Sequence, residues 1–234
     1  MTTATFRQNT TFPTSDGKGY GYLAVPETGA GPGVIVIQEW WGLTDQIAGV
    51  VDRLAAEGFV ALAPDLFGGR VTHNAADGAK WMSELPVERG VAQLSSAVDY
   101  LLAHDAVTGD ALGAVGFCMG GGFVVALAAA VGDKITAAVP YYGADAGDAD
   151  FSGLRAAVMG HFGAYDTAVP PEHARRLAAR VRAHAGTTIE LYFYPAGHAF
   201  ANEENRSGNY DKAQAGIAWQ RTIGFLRGAL DRAS

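Results

Sequence analysis

Two kinds of apolar spacing alternate along the chain. Short, nearly unbroken apolar runs recur at "GVIVIQE" (33–39), "FVALAP" (59–64), "LGAVGF" (112–117), "ITAAVPYYG" (135–143), "LRAAVMGHFG" (154–163) and "TTIELYFYP" (187–195). Runs of that length without polar alternation are expected of strands covered on both faces. Between them the apolar residues fall at helical spacing. Ile47, Val50, Val51 and Leu54 mark a helix over 44–58, with Thr44 placed to cap its start and Gly58 its end. Val91, Leu94, Val98, Leu101 and Leu102 mark a second, and 119–131, 171–185 and 208–230 three more, with Pro171 suited to a helix start. A short helix is expected near 76–82, inside the less regular stretch 65–87. At the N-terminus, 4–12 and 18–25 read as short strands joined by "TSDGK", where Asp16-Gly17 is a hairpin signal. Strand–helix alternation implies an α/β fold with a mostly parallel central sheet and helices on both faces. No repeat, low-complexity tract or linker interrupts it, so 1–234 reads as one domain.

The uncharged run from Ala111 to Gly132 changes the picture, because it is long enough to be tested as a membrane span. Gly116, Gly120, Gly121 and Gly122 fall inside it, and a strand, a sharp turn and a buried helix account for it better. The remaining composition agrees. The 234 residues are 49% hydrophobic and 18% charged, which is globular composition, and the net charge of −7 gives no electrostatic footprint for nucleic acid or an anionic membrane. The single cysteine excludes an internal disulfide and cysteine-rich zinc sites. "MTTATFRQNTTF" lacks a basic stretch followed by an apolar one, so no signal peptide is expected and a cytoplasmic protein is the natural class.

That cysteine lies in "GFCMG" (116–120), a G-x-nucleophile-x-G pattern between a strand and a helix. Such a turn is tight, and its nucleophile projects at a helix N-terminus, where N–H groups and the dipole favour a thiolate. The N–H of Met119 is placed to receive an oxyanion. A buried cysteine acting as a small hydrophobe is the competing reading. Two other stretches weigh against it. "GAYDTAVPPEH" sets Asp166 just after a strand, and "YPAGHAF" sets His198 just after the last one. Open α/β sheets place their functional groups at the C-terminal strand ends. The order nucleophile, acid, histidine is that of the α/β-hydrolase fold. His73, His104, His161, His173 and His184 lack comparable context, although His161 also lies near a strand end. In "IQEWWG" (37–42), Glu39 follows a buried strand and precedes two tryptophans, so desolvation should raise its pKa. Trp40 and Trp41 fit either a core or a pocket wall.

"QEWWG", "GFCMGG", "YYG", "GAYD" and "GHAF" together resemble the dienelactone hydrolase, or carboxymethylenebutenolidase, family over almost the full chain. The resemblance implies an α/β-hydrolase fold that hydrolyses a small ester or lactone without cofactor or metal. It assigns Cys118 as nucleophile, His198 as base and acid, and Asp166 as the orienting carboxylate. It has Glu39 contact the resting thiol and activate it when substrate arrives. The N–H groups of Trp40 and Met119 would form the oxyanion hole, and Tyr142 would lie near the substrate. One position departs. Members acting on the acidic dienelactone use arginines for its carboxylate, one of them four residues past the histidine, and here that residue is Asn202. Arg70, Lys80 or Arg206 could compensate. Competing classes are a non-catalytic thiol protein for binding or redox sensing, and a thioesterase or peptidase on the same three residues. No H-E-x-x-H, G-x-x-x-x-G-K-[ST] or G-x-G-x-x-G is present, so no metal or nucleotide partner is expected. The expected partner is a small-molecule ester or lactone, on a monomer or small homo-oligomer.

Overall fold

A computed structural model describes residues 7–231. Its strands are β1 (Thr10–Thr14), β2 (Gly17–Ala24), β3 (Gly31–Ile37), β4 (Val60–Pro64), β5 (Val107–Phe117), β6 (Ile135–Tyr141), β7 (Ala157–Gly163) and β8 (Ile189–Tyr194). They form one sheet in the order β1-β2-β4-β3-β5-β6-β7-β8. The β1–β2 and β2–β4 pairs are antiparallel, and every pair from β4 onward is parallel. The helices are α1 (Asp45–Ala56), α2 (Ala75–Ser83), α3 (Val87–Leu102), α4 (Met119–Val131), α5 (Pro171–Ala185) and α6 (Lys212–Leu230).

Strand side chains alternate between the two faces. On β3, Val34 and Val36 join a core with α1 and α6, while Ile35 and Ile37 join one with α3, α4 and α5. Both faces of the parallel strands are therefore covered, which explains their unbroken apolar runs. The uncharged run divides between the end of β5 and the 13-residue α4. At 1.5 Å per residue that helix rises about 20 Å, short of the ~30 Å hydrocarbon core of a bilayer. Among the described residues no helix is long and apolar enough to cross a membrane.

The differences from the expected elements have local causes. The first residues of the strand expected over 4–12 lie outside the described residues, and β1 runs on to Thr14. Its hairpin turns at Ser15–Asp16, and Gly17 leaves the turn at φ +125°, a conformation only glycine adopts easily. β5 begins five residues before the apolar run, because Val107 and Thr108 pair with Gly31 and Pro32 where the sequence is polar and exposed. β7 begins three residues later than expected. The final helix starts at Lys212, where the Asp211 carboxylate caps the N–H groups of Ala213 and Gln214, both at 3.0 Å.

Candidate active site

The C-terminal ends of β3, β5, β6, β7 and β8 bring five chain segments together. The sharpest is the turn between β5 and α4. Cys118 sits there at φ +52°, ψ −115°, a strained conformation for a side-chain-bearing residue. The flanking glycines make it possible. A Cβ on Gly116 would run into the Gly120 carbonyl, and one on Gly120 into the Ile37 carbonyl. The backbone is pinned on both sides, by Cys118 N–H to Tyr141 O (3.0 Å) and Gly121 N–H to Cys118 O (2.9 Å). The thiol stays partly exposed.

His198 reaches this thiol from the loop after β8. Its Nε2 lies 3.2 Å from Cys118 Sγ, and its Nδ1 lies 2.8 Å from Asp166 Oδ2. Asp166 follows β7, and its other oxygen accepts the N–H groups of Ala168 and Val169, each at 2.8 Å. The carboxylate is thereby fixed before it meets the imidazole. The loops after β7 and β8 are joined through Ala164 N–H to Tyr194 O (2.6 Å) and Tyr165 N–H to Ala196 O (3.0 Å). Burial pushes the His198 pKa down, but hydrogen bonds to Asp166 and Cys118, with their charges, outweigh it and raise the group to about 10.

Glu39 lies just past β3 and is only 3% exposed. Its Oε1 accepts from the Tyr142 hydroxyl (3.2 Å) and its Oε2 from Asn202 Nδ2 (2.6 Å). Burial raises its pKa to about 7, opposed first by the Asn202 hydrogen bond and then by the His198 charge and Tyr142. Two expectations meet this geometry. The thiol meets His198, the Glu39 oxygens meet Tyr142 and Asn202, and among the described residues no hydrogen bond joins Glu39 to Cys118. Tyr142, expected near the substrate, is fully buried at φ +37°, with its hydroxyl on Glu39 and its ring 5.4 Å from that of His198.

Met119 opens α4, so its N–H has no helical acceptor. Trp40 follows β3, whose Ile37 pairs with Gly116 on β5. Among the described residues no hydrogen-bond acceptor takes the Trp40 N–H. The two indoles of Trp40 and Trp41 meet edge-on at 5.0 Å, with Gly78 of α2 against Trp40.

The remaining candidates lie elsewhere or are engaged. His161 is buried between the hydroxyls of Tyr194 (2.8 Å) and Thr222 (3.1 Å). His73 is exposed beside Arg206, and His184 faces Asp150 at 3.7 Å. Arg70 packs over the Trp81 ring at 4.8 Å and faces Glu84 at 3.7 Å, and Lys80 faces the same Glu84 at 3.9 Å. Arg206 lies 6.0 Å from the Trp41 ring centre and pairs with Glu204 at 2.6 Å. Among the described residues no three His, Cys, Asp or Glu side chains are grouped to hold a metal ion. Sequence reasoning missed Asn202 as a partner of Glu39. Its only signal was its place four residues past His198, where it read as a departure.

The dienelactone hydrolase family model matches residues 20–230. A Salmonella typhimurium protein named as a carboxymethylenebutenolidase is 35% identical over 219 residues, covering 86% of this chain and 80% of its own. A Klebsiella pneumoniae structure named as a dienelactone hydrolase superposes with a TM-score of 0.82 at 29% identity, over 93% of this chain and 96% of that one. The crystal structure of a dienelactone-hydrolase-like promiscuous phosphotriesterase from metagenomic libraries also gives 0.82, at 27% identity over 94% and 97% of the two chains.

Proposed function

The chain belongs to the dienelactone hydrolase family and is an ester or lactone hydrolase with the α/β-hydrolase fold; from that premise we propose that Cys118, His198 and Asp166 carry the reaction through an acyl-enzyme. The observation that carries the proposal is the continuous hydrogen-bonded line from the Asp166 carboxylate through the imidazole to the thiol sulfur. His198 takes the thiol proton, and the thiolate attacks the carbonyl carbon. A C–S bond forms and the carbonyl π pair moves onto oxygen, where the N–H groups of Trp40 and Met119 receive it. As the pair returns, the C–O bond to the leaving group breaks and His198 gives that oxygen its proton. Water then passes a proton to His198 and attacks the thioester. The C–S bond breaks, and the acid leaves with the thiolate restored. Asp166 holds the ring in the tautomer that presents Nε2 to sulfur and stabilises the imidazolium.

Glu39, with a pKa near neutrality beside the imidazole, tunes the thiol–imidazole pair. The substrate is a small neutral ester or lactone. A substrate carboxylate would need a cation at the site, and Arg206, whose charge interacts with that of Glu39, is already paired with Glu204. Asn202, in place of the expected arginine, is spent on Glu39.

The test is Cys118→Ala with a chromogenic ester. Losing the nucleophile should lower kcat by roughly 10³-fold or more while the protein stays folded. A variant that keeps most of its turnover would leave Cys118 as a binding or redox thiol.

A further inference from the structure

The segment after His198 is tied to the segment after Glu39 along a seam of hydrogen bonds. One residue of α1, Gln46, makes three of them. Its backbone N–H donates to Glu204 Oε1 (3.3 Å), its Nε2 to the Ala201 carbonyl (3.2 Å), and its Oε1 accepts the Glu203 N–H (3.1 Å). Arg53, about two turns further along the same face of α1, pairs with Glu203 at 3.2 Å. At the inner end of the seam lies Asn202, only 2% exposed. Its Oδ1 accepts the Glu204 N–H at 2.9 Å. That bond settles which way the amide faces, because its oxygen is already taken by a donor. The NH₂ end is therefore the one directed at Glu39, at 2.6 Å.

We propose that Asn202 is a positioning residue: its amide holds the Glu39 carboxylate turned away from Cys118, so that the thiol–imidazole pair stands assembled before substrate binds. The inference rests on the reading of Cys118 as nucleophile, and it adds a residue and a resting state that the reading does not contain.

The physical argument concerns what a buried carboxylate does without its donors. Glu39 cannot reach water, and Asn202 supplies its shorter hydrogen bond. If that donor is lost, the carboxylate must take a proton or find another donor. The titratable and charged groups around it come from three segments. Tyr142 follows β6, His198, Glu204 and Arg206 follow β8, and Cys118, at the turn after β5, shares Tyr142 as a neighbour. The tyrosine hydroxyl already donates and is held protonated by burial and by the Glu39 charge. Glu204 and Arg206 oppose one another at 2.6 Å. Among these titratable groups the thiol is the donor left for a released carboxylate, and a thiol bonded to Glu39 is withdrawn from His198.

The test uses the intact protein and two readouts. In pH-difference infrared spectra, the protonated-carboxyl stretch of Glu39 is identified by its loss in Glu39→Gln. Wild type should titrate near pH 7. Asn202→Ala should raise that midpoint by about one to two pH units, the usual worth of a hydrogen bond to a charged group. At the same time, alkylation of resting Cys118 by iodoacetamide should slow roughly tenfold at neutral pH, because a thiol held by Glu39 no longer gives its proton to His198. The slowing should disappear in a Glu39→Gln background. Asn202→Asp keeps the packing and the acceptor for Glu204 while removing the donor, so it should raise the midpoint even if the alanine variant folds poorly. An unmoved midpoint, or an alkylation rate that does not fall, overturns the proposal and leaves Asn202 a packing residue. Failure of the nucleophile reading is separate: Cys118→Ala would then stay active, whatever the infrared midpoint does.

Discussion

Two histidines near neighbouring strand ends show what separates a structural imidazole from a chemical one. Both bond through both ring nitrogens, and both contact aromatic rings. His161 lies inside β7 and turns toward α6, where it meets only hydroxyls. Arg221 donates to the Tyr194 hydroxyl at 3.0 Å, which leaves that hydroxyl's proton for His161 Nδ1. Its Nε2–H then serves Thr222, so one neutral tautomer satisfies the chain. Burial, helped by the Arg221 charge, lowers the His161 pKa to about 3. His198 sits beyond β8, where the loop leaves one nitrogen to a carboxylate and the other to a thiol. Those partners overcome burial and raise it to about 10. Burial alone makes a histidine inert, and the charge of its partners decides whether it moves protons.

The largest effects should break this contrast at the level of turnover. His198→Asn should lower kcat by roughly 10³-fold or more, and Asp166→Asn by roughly 10²- to 10⁴-fold, because the ring loses its oriented tautomer. Combined with Cys118→Ala, neither should add its full factor. His161→Gln should cost stability, since it disturbs two buried hydroxyl partners, but lower kcat less than tenfold. Steady-state kinetics and thermal melts of the three variants check this. A loss at His161 equal to that at His198 would erase the distinction.

A smaller effect concerns stability against pH, and the two rings should act in opposite directions. His161 has its folded pKa depressed to about 3, below the ordinary value near 6.5. The unfolded chain therefore binds the extra proton between those values. The contribution of His161 is complete above about pH 6.5 and is lost as pH falls toward 3. His198 is raised to about 10, so its contribution is present below about 6.5 and is lost as pH rises through 10. Denaturant melts of wild type, His161→Gln and His198→Asn across that range should show the acid-side slope flattening in the first variant and the alkaline-side slope in the second. Equal flattening on both sides in either variant would contradict the assignment.

The same contrast explains what the sequence made legible. Backbone chemistry leaves local marks. The glycines around Cys118 are forced by carbonyls that a Cβ would strike, and Thr44, Pro171 and Gly58 mark helix ends as expected. Apolar runs revealed the parallel strands because both faces are covered. The first half of β5, polar and exposed after Val107, left no such mark, since backbone pairing with Gly31 and Pro32 needs no apolar run. Side-chain pairings across long separations were hidden too. Asn202 and Glu39 stand 163 positions apart, and Gln46 meets Ala201 across 155. An amide carries no pattern that names its partner. The sequence could pick out Glu39 as a buried acid, but not that Tyr142 and Asn202 would hold it away from the thiol.

The most direct test of the central claim is to trap the intermediate. Wild type mixed with excess p-nitrophenyl acetate and quenched in acid within milliseconds should release a burst of nitrophenol. Peptide mass spectrometry should then find one acetyl group per chain, on Cys118 and absent after full turnover. In His198→Asn the burst should slow along with turnover. A burst with the acetyl group on another residue, or full turnover with Cys118 never acylated, would contradict the account.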